Sequence, residues 1–284
     1  MVAGREVRVL TWNVNGAAVD RRVAQGHFFE ASGADIVVLT ETRDGPAVED
    51  YLRALALAGL GHHASSFQVA GRKGEYTGRR RYGVLLAARW PIVSQSPVAD
   101  APWPERTVDV VLAVPSGPLR VIGAYMPLGS HGTIKSETFA AIGRSLGVEA
   151  GPVLVCGDFN APRFEGVDED GSPVLVTFGQ SPRRSGGFGP PGHRQDRAER
   201  LLLDERSLGL FKAFRAIHGY GVRAASWSYP KGGMPFDYRL DHILVRGAVR
   251  PVTAAYVQET RHRRADCTRL SDHAALAVTL HMGE

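Results

Sequence analysis

Residues 36–39 read I-V-V-L, apolar at every position, between Asp35 and Thr40. A strand with one wet face alternates apolar and polar residues. An unbroken apolar run therefore asks for cover on both faces. That requirement excludes a simple two-sheet sandwich with wet outer faces and points to stacked layers of helices and sheets. The surrounding sequence agrees. Residues 7–12 (V-R-V-L-T-W) alternate as a strand, residues 20–32 and 48–59 carry helical periodicity, and residues 35–40 form the second strand. Further strands are predicted at 82–88, 108–114, 119–126, 152–157, 239–245, 252–259 and 273–281, with helices at 134–147 and 196–209. Strand–helix units mixed with strand pairs predict an α/β sandwich.

With 284 residues, 44% hydrophobic and 22% charged, the chain can bury a sizeable core, and no linker divides it. One domain spanning residues 1–284 is expected. The formal net charge is +5, carried almost wholly by arginine, since only Lys73, Lys135, Lys212 and Lys231 are lysines. A modest basic surplus leans toward a polyanionic partner, and the planar guanidinium suits phosphate. Two distant cysteines, Cys156 and Cys267, form neither a zinc motif nor a disulfide framework. The start, M-V-A-G-R-E, has no apolar leader, and no membrane-length apolar run follows, so a cytoplasmic location without membrane contact is expected. Two stretches interrupt the strand–helix pattern: the basic loop 71–81 and the Gly/Pro/Ser/Arg-rich segment 163–195, expected to be a mobile loop with Arg183, Arg184 and Arg194 as a possible second basic arm.

Polar residues recur where these strands end. Asn13 closes the first in T-W-N-V-N-G, Glu41 the second in V-V-L-T-E-T-R, and Tyr125 another in G-A-Y-M-P-L-G. Asp158 and Asn160 follow in V-L-V-C-G-D-F-N, Asp241 and His242 in R-L-D-H-I-L-V, and Asp272 and His273 in L-S-D-H-A-A-L. Ligands of open α/β sheets bind beyond strand ends. Singly, each residue also suits a turn or a cap; the six segments in this order carry the argument.

Those six segments, Gly-Asp-Phe-Asn and Ser-Asp-His above all, resemble the endonuclease/exonuclease/phosphatase superfamily from Arg8 to about Leu280. The resemblance implies a deoxyribonuclease I-like four-layer α/β/β/α sandwich of two packed mixed sheets. It also implies phosphodiester hydrolysis with Mg²⁺, for which Mn²⁺ can substitute. A phosphodiester is anionic, so a hard cation on carboxylate oxygens neutralises charge that builds on the phosphoryl group. By the resemblance, Glu41, Asn13 and Asp272 hold the metal, Asp158 orients or deprotonates water, and Asn160 bonds phosphate or nucleophile. His273 paired with Asp241 contacts the phosphate or accepts a proton, and Tyr125 donates its phenol. His242 points to the other face of its strand and stays outside the set.

The exonuclease III-like, abasic-site branch is the nearest in G-L-F-K-A-F-R-A-I-H-G (209–219), S-W-S-Y (226–229) and Y-R-L-D (238–241). It implies a sugar pocket at Ser226, Tyr238 and Leu240 with Trp227 nearby. Arg79, Arg80 and Arg81 are expected to grip a nucleic-acid backbone, DNA before other polymers. Departures from the branch at Ala17–Val19, Thr40, Leu128, Lys212 and Ser226 are expected on the substrate-contacting surface. A phosphoesterase acting on RNA, a small molecule or a lipid phosphate is the alternative, and a binding module without catalysis a third.

Overall fold

The computed structural model describes residues 6–16, 18–71, 74, 76–147, 151–180, 194–204, 208–231, 234–261 and 269–283. In it Ile36, Val37, Val38 and Leu39 all have zero exposure. The first elements are β1 (Glu6–Asn13), α1 (Val19–Ser32), β2 (Ile36–Arg43), α2 (Pro46–Leu57), β3 (His62–Ser65), α3 (Ser66–Val69) and β4 (Tyr82–Ala88). Next come β5 (Ile92–Ser96), β6 (Thr107–Val114), β7 (Gly117–Tyr125), α4 (Ile134–Leu146) and β8 (Val153–Asp158). The hairpin β9 (Phe164–Val167) and β10 (Pro173–Val176) precedes α5 (Arg194–Leu203), β11 (Phe211–Lys212) and a short helix Ala213–His218. The chain closes with β12 (Trp227–Lys231), β13 (Met234–Tyr238), β14 (Asp241–Arg246), β15 (Val249–Val257) and β16 (Ala275–Met282).

One six-stranded sheet runs β15-β16-β1-β2-β4-β3 and the other β11-β14-β8-β7-β6-β5. Each contains one parallel pair, β1 with β2 and β7 with β8. Parallel neighbours need a crossover, which α1 and α4 supply. The two sheets share a core in which Val9, Ile36 and Val38 meet Val108, Val121, Leu154 and Ile243. Alternate residues on the outer faces pack against helices: Leu10, Val37 and Leu39 with Phe29, Tyr51 and Leu55, and Ile122 and Val155 with Phe139 and Leu202. The unbroken apolar run thus has its cause in a four-layer sandwich, each buried side chain contributing about 1.5–3 kcal/mol.

Several expectations change. The segment 163–195 is not wholly loop: Phe164–Val167 pairs antiparallel with Pro173–Val176, and Arg194 opens α5. Arg72, Lys73, Arg183, Arg184 and Cys267 lie outside the described residues. The short strands β3, β5, β12 and β13 carry too little apolar periodicity to be read from sequence. Among the described residues no helix is long and apolar enough to cross a membrane.

Candidate active site

The C-terminal ends of β1, β2, β7 and β8 open on one side of the sandwich, and the antiparallel β14 begins there. Strand register does most of the positioning. Asp158 stands opposite Tyr125 on one side and Asp241 on the other. Two backbone devices complete it. The pairing of β2 with β4 shifts register between Thr40 and Thr42, and Glu41 between them has φ 57°. A bulge re-aims a side chain, and the left-handed region is uncommon for a non-glycine residue. Gly157 has φ 139°, and a Cβ there would lie 1.9 Å from the Ala124 carbonyl oxygen. Only glycine lets β8 approach β7 this closely before Asp158.

The side chains then converge. Asn13 Nδ2 donates to Asp158 Oδ2 at 2.9 Å and to Glu41 Oε1 at 3.1 Å. The Tyr125 hydroxyl donates to the same Glu41 oxygen at 2.7 Å. Asn160 N donates to Asp158 Oδ1 at 2.8 Å. His273 Nδ1 lies 2.7 Å from Asp241 Oδ2. Ser271 Oγ bonds the Asn13 carbonyl and receives His273 N, tying the loop before β16 to the end of β1. Asn160 Nδ2 is committed to the Met126 carbonyl at 2.8 Å. This bond anchors the side chain that the resemblance assigns to the phosphate or the nucleophile.

Burial and like charge shape the electrostatics. Burial and the neighbouring Asp241 push Asp158 up to about 7, against the opposing pull of His273, Asn160 and Asn13. Burial alone would lower the His273 pKa, but the charge and hydrogen bond of Asp241, with Asp158 and Asp272, push it up to about 10. Burial, then the Glu41 charge, raise Tyr125 well above its ordinary value, while Arg106 opposes them.

Arg106 is the residue that sequence reasoning missed. It is buried, and its guanidinium carbon sits 4.1 Å from the Tyr125 ring centroid. Its Nη2 donates to the Arg79 carbonyl at 2.5 Å, while its Nε has no partner among the described residues. Nothing in P-E-R-T-V-D marks it, because it becomes part of the site only through the register of β6 and β7. The Trp103 ring lies between Arg106 and His131, 5.0 Å from the His131 ring centroid.

The expected metal ligands divide. Glu41 and Asn13 adjoin Asp158, whereas Asp272 accepts a hydrogen bond from Trp227 Nε1 at 3.1 Å and bonds neither of them. Asp158, Asp241 and His273 each offer a ligand atom, all within 4.8 Å of one another. The Asp241 Oδ1 atom is buried without a hydrogen-bond partner among the described residues. An orphaned Asp241 oxygen beside the Asp158 carboxylate and the His273 ring is a donor set that fits a divalent cation.

The outlying expectations fare differently. Arg79 and Arg81 are exposed, but Arg80 is committed to buried Glu105 through two 2.6 Å hydrogen bonds. Trp227 lies 6.2 Å from the His273 ring and 5.9 Å from that of Tyr238, which stacks on Phe178. Three departures placed on the substrate surface are instead buried: Thr40, Ser226 and Lys212. Ser226 Oγ accepts from Leu240 N at 2.9 Å and Asp241 N at 3.2 Å, which makes it a support for Asp241. Lys212 pairs with buried Glu165, which also bonds Arg215 at 3.0 Å and Arg239 at 2.9 Å. His242 turns to the Ala161 carbonyl, and burial lowers its pKa to about 4.

Comparison with known proteins agrees with this geometry. The family model described as the Endonuclease/Exonuclease/phosphatase family matches residues 10–273. No curated protein matches. Among solved structures, an endonuclease/exonuclease/phosphatase from Beutenbergia cavernae aligns with TM-score 0.64 at 17% identity, over 98% of this chain and 72% of its own. D. rerio TDP2 complexed with single strand DNA product aligns with TM-score 0.67 at 13% identity, over 97% and 99%. The 3′-5′ exonuclease NExo from Neisseria meningitidis aligns with TM-score 0.65 at 22% identity, over 96% and 98%. With the family model covering nearly the whole sandwich, the chain belongs to the endonuclease/exonuclease/phosphatase family, whose members act on phosphoester bonds.

Proposed function

We propose that the protein is a divalent-metal-dependent phosphodiesterase acting on DNA, nearest to the exonuclease III-like branch. The observation that carries this reading is the convergence of Asn13, Glu41, Tyr125, Asp158, Asp241 and His273 on one space. Mg²⁺, when bound, would supply Lewis-acid neutralisation of phosphoryl charge, and Glu41 and Asn13, with Asp272, would hold it next to Asp158.

The chain's own groups do the rest. Asn13 Nδ2 donates to Glu41 and to Asp158 Oδ2, and Asn160 N donates to Asp158 Oδ1, so both oxygens of the Asp158 carboxylate are held in place. There Asp158 takes the proton of an attacking water. Asp241 holds the His273 ring and favours its charged form, leaving Nε2–H to donate to a non-bridging phosphate oxygen. Arg106 holds positive charge against the Tyr125 ring, where it would favour a phosphate bound beside the phenol. The resemblance of fold to NExo and to TDP2, whose structures contain DNA products, supports DNA as substrate.

A cleavage panel tests the reading. Labelled abasic duplex, intact duplex, single-stranded DNA, single-stranded RNA and a small phosphodiester would be incubated with Mg²⁺ and with EDTA. Metal-dependent cutting of DNA is expected. Hydrolysis of the small ester alone would move the assignment to small-molecule phosphates.

A further inference from the structure

The hairpin β12–β13 has two unlike faces. Trp227 pairs with Tyr238 and Tyr229 with Phe236, so four aromatic residues share one face. Ser228, Pro230 and Asp237 take the other by alternation. Phe178, from the chain before α5, adds a fifth ring by stacking on Tyr238 at 5.9 Å and 25°. Trp227 and Tyr229 lie nearly parallel, 5.8 Å apart at 11°, and Tyr229 meets Phe236 at 6.2 Å. The row begins 6.2 Å from the catalytic His273 ring and leads away from it. Its outer members stay wet: Phe178 is 39% exposed, Tyr229 37% and Phe236 43%.

A contiguous exposed apolar patch at the mouth of a site calls for a ligand. Charge indicates which. Along the β13 flank, Phe236 and Tyr238 also line a cavity of about 820 Å³ whose wall carries Arg163, Arg223, Arg239 and Arg261 against the carboxylates of Glu165 and Asp237. An aromatic row that starts beside His273 and is flanked by a basic trough has the make-up of a single-strand platform: bases stack on rings while phosphates follow the cations. A duplex keeps its bases stacked on one another and offers such a row nothing but its terminal pair.

We propose that the aromatic face Trp227–Tyr229–Phe236–Tyr238, extended by Phe178, binds the unpaired bases of single-stranded DNA next to the scissile phosphate and gives the enzyme a preference for strands over blunt duplexes. This deepens the phosphodiesterase reading and rests on it.

Fluorescence anisotropy in EDTA, with a labelled DNA strand and the blunt duplex of the same sequence, separates binding from cleavage. Wild type is expected to bind the strand more tightly. Tyr229→Ala/Phe236→Ala is expected to lower strand affinity by about 5- to 150-fold for each base unstacked, with little change on the duplex. Phe178→Ala, outside the hairpin, gives the same sign if the hairpin variant misfolds, and Tyr229→Phe/Phe236→Tyr keeps strand binding. Equal or tighter duplex binding by wild type, or undiminished strand binding by the alanine variants, overturns the proposal. Metal-dependent cleavage of the same labelled strand by wild type, on adding Mg²⁺, is read in parallel. Its absence with strand preference intact fails the phosphodiesterase reading alone, and its presence without strand preference fails the platform alone.

Discussion

Replacing Glu165 by glutamine should destabilise the protein strongly at neutral pH and hardly at all in strong acid. Glu165 is buried with Lys212, Arg215 and Arg239 around one carboxylate. Burial alone would raise its pKa, but Lys212, Arg239, His242 and Arg215 pull it from 4.5 down to about 2. That difference corresponds to about 3 kcal/mol. The unfolded chain takes up the proton more readily than the folded one. The stabilisation is therefore complete above the unfolded value near 4.5 and is lost as pH falls through about 2. Glutamine preserves the shape, removes the charge and leaves three cations without it. Urea unfolding followed by circular dichroism at a series of pH values reads the effect. Wild type should exceed Glu165→Gln by about 3 kcal/mol at neutral pH, with the gap closing toward pH 2. A gap under about 0.5 kcal/mol at neutral pH, or one that widens in acid, would show that the Glu165 charge does not stabilise the fold.

The remaining predictions follow from single contacts. Gly157→Ala sets a Cβ against the Ala124 carbonyl oxygen at 1.9 Å in a backbone region closed to other residues; expression and thermal unfolding should show a loss above about 3 kcal/mol or no folded protein. Ser226→Ala strips the acceptor from Leu240 N and Asp241 N, and should lower stability by about 2 kcal/mol in the same unfolding assay while reducing hydrolysis through a displaced Asp241. Arg106→Ala should lower kcat/KM about 10- to 100-fold with the fold retained, as loss of a charge-assisted phosphate contact would; initial rates equal to wild type would remove Arg106 from the site.

What the sequence disclosed and what it hid differ in physical kind. The central strands were legible because cover on both faces demands unbroken apolar runs such as Ile36–Leu39, and the polar residues closing them stand out against that background. The edge strands β3 and β5 and the two hairpins are short and partly wet, so they leave no such trace. Lys212 and Ser226 looked like changes to a binding surface because a sequence shows residue type and not burial. Each is explained by a partner far along the chain: Glu165 for Lys212, and the amides of Leu240 and Asp241 for Ser226. Arg106 was invisible for the same reason, since its place over Tyr125 comes from neighbouring strands and not from spacing. The aromatic hairpin shows the converse. Trp227 and Tyr238 were legible singly, but only the pairing of β12 with β13 sets Tyr229 and Phe236 beside them.

The central claim is that Asp158, held between Asn13 and Asn160, drives metal-dependent phosphodiester hydrolysis. Its most direct test is the rate of strand cleavage by Asp158→Asn and wild type, prepared identically, in Mg²⁺. Wild type should cleave and EDTA should abolish that cleavage, while the variant should lose at least about 100-fold in rate at an unchanged unfolding temperature. Wild-type rates in the folded variant would contradict it.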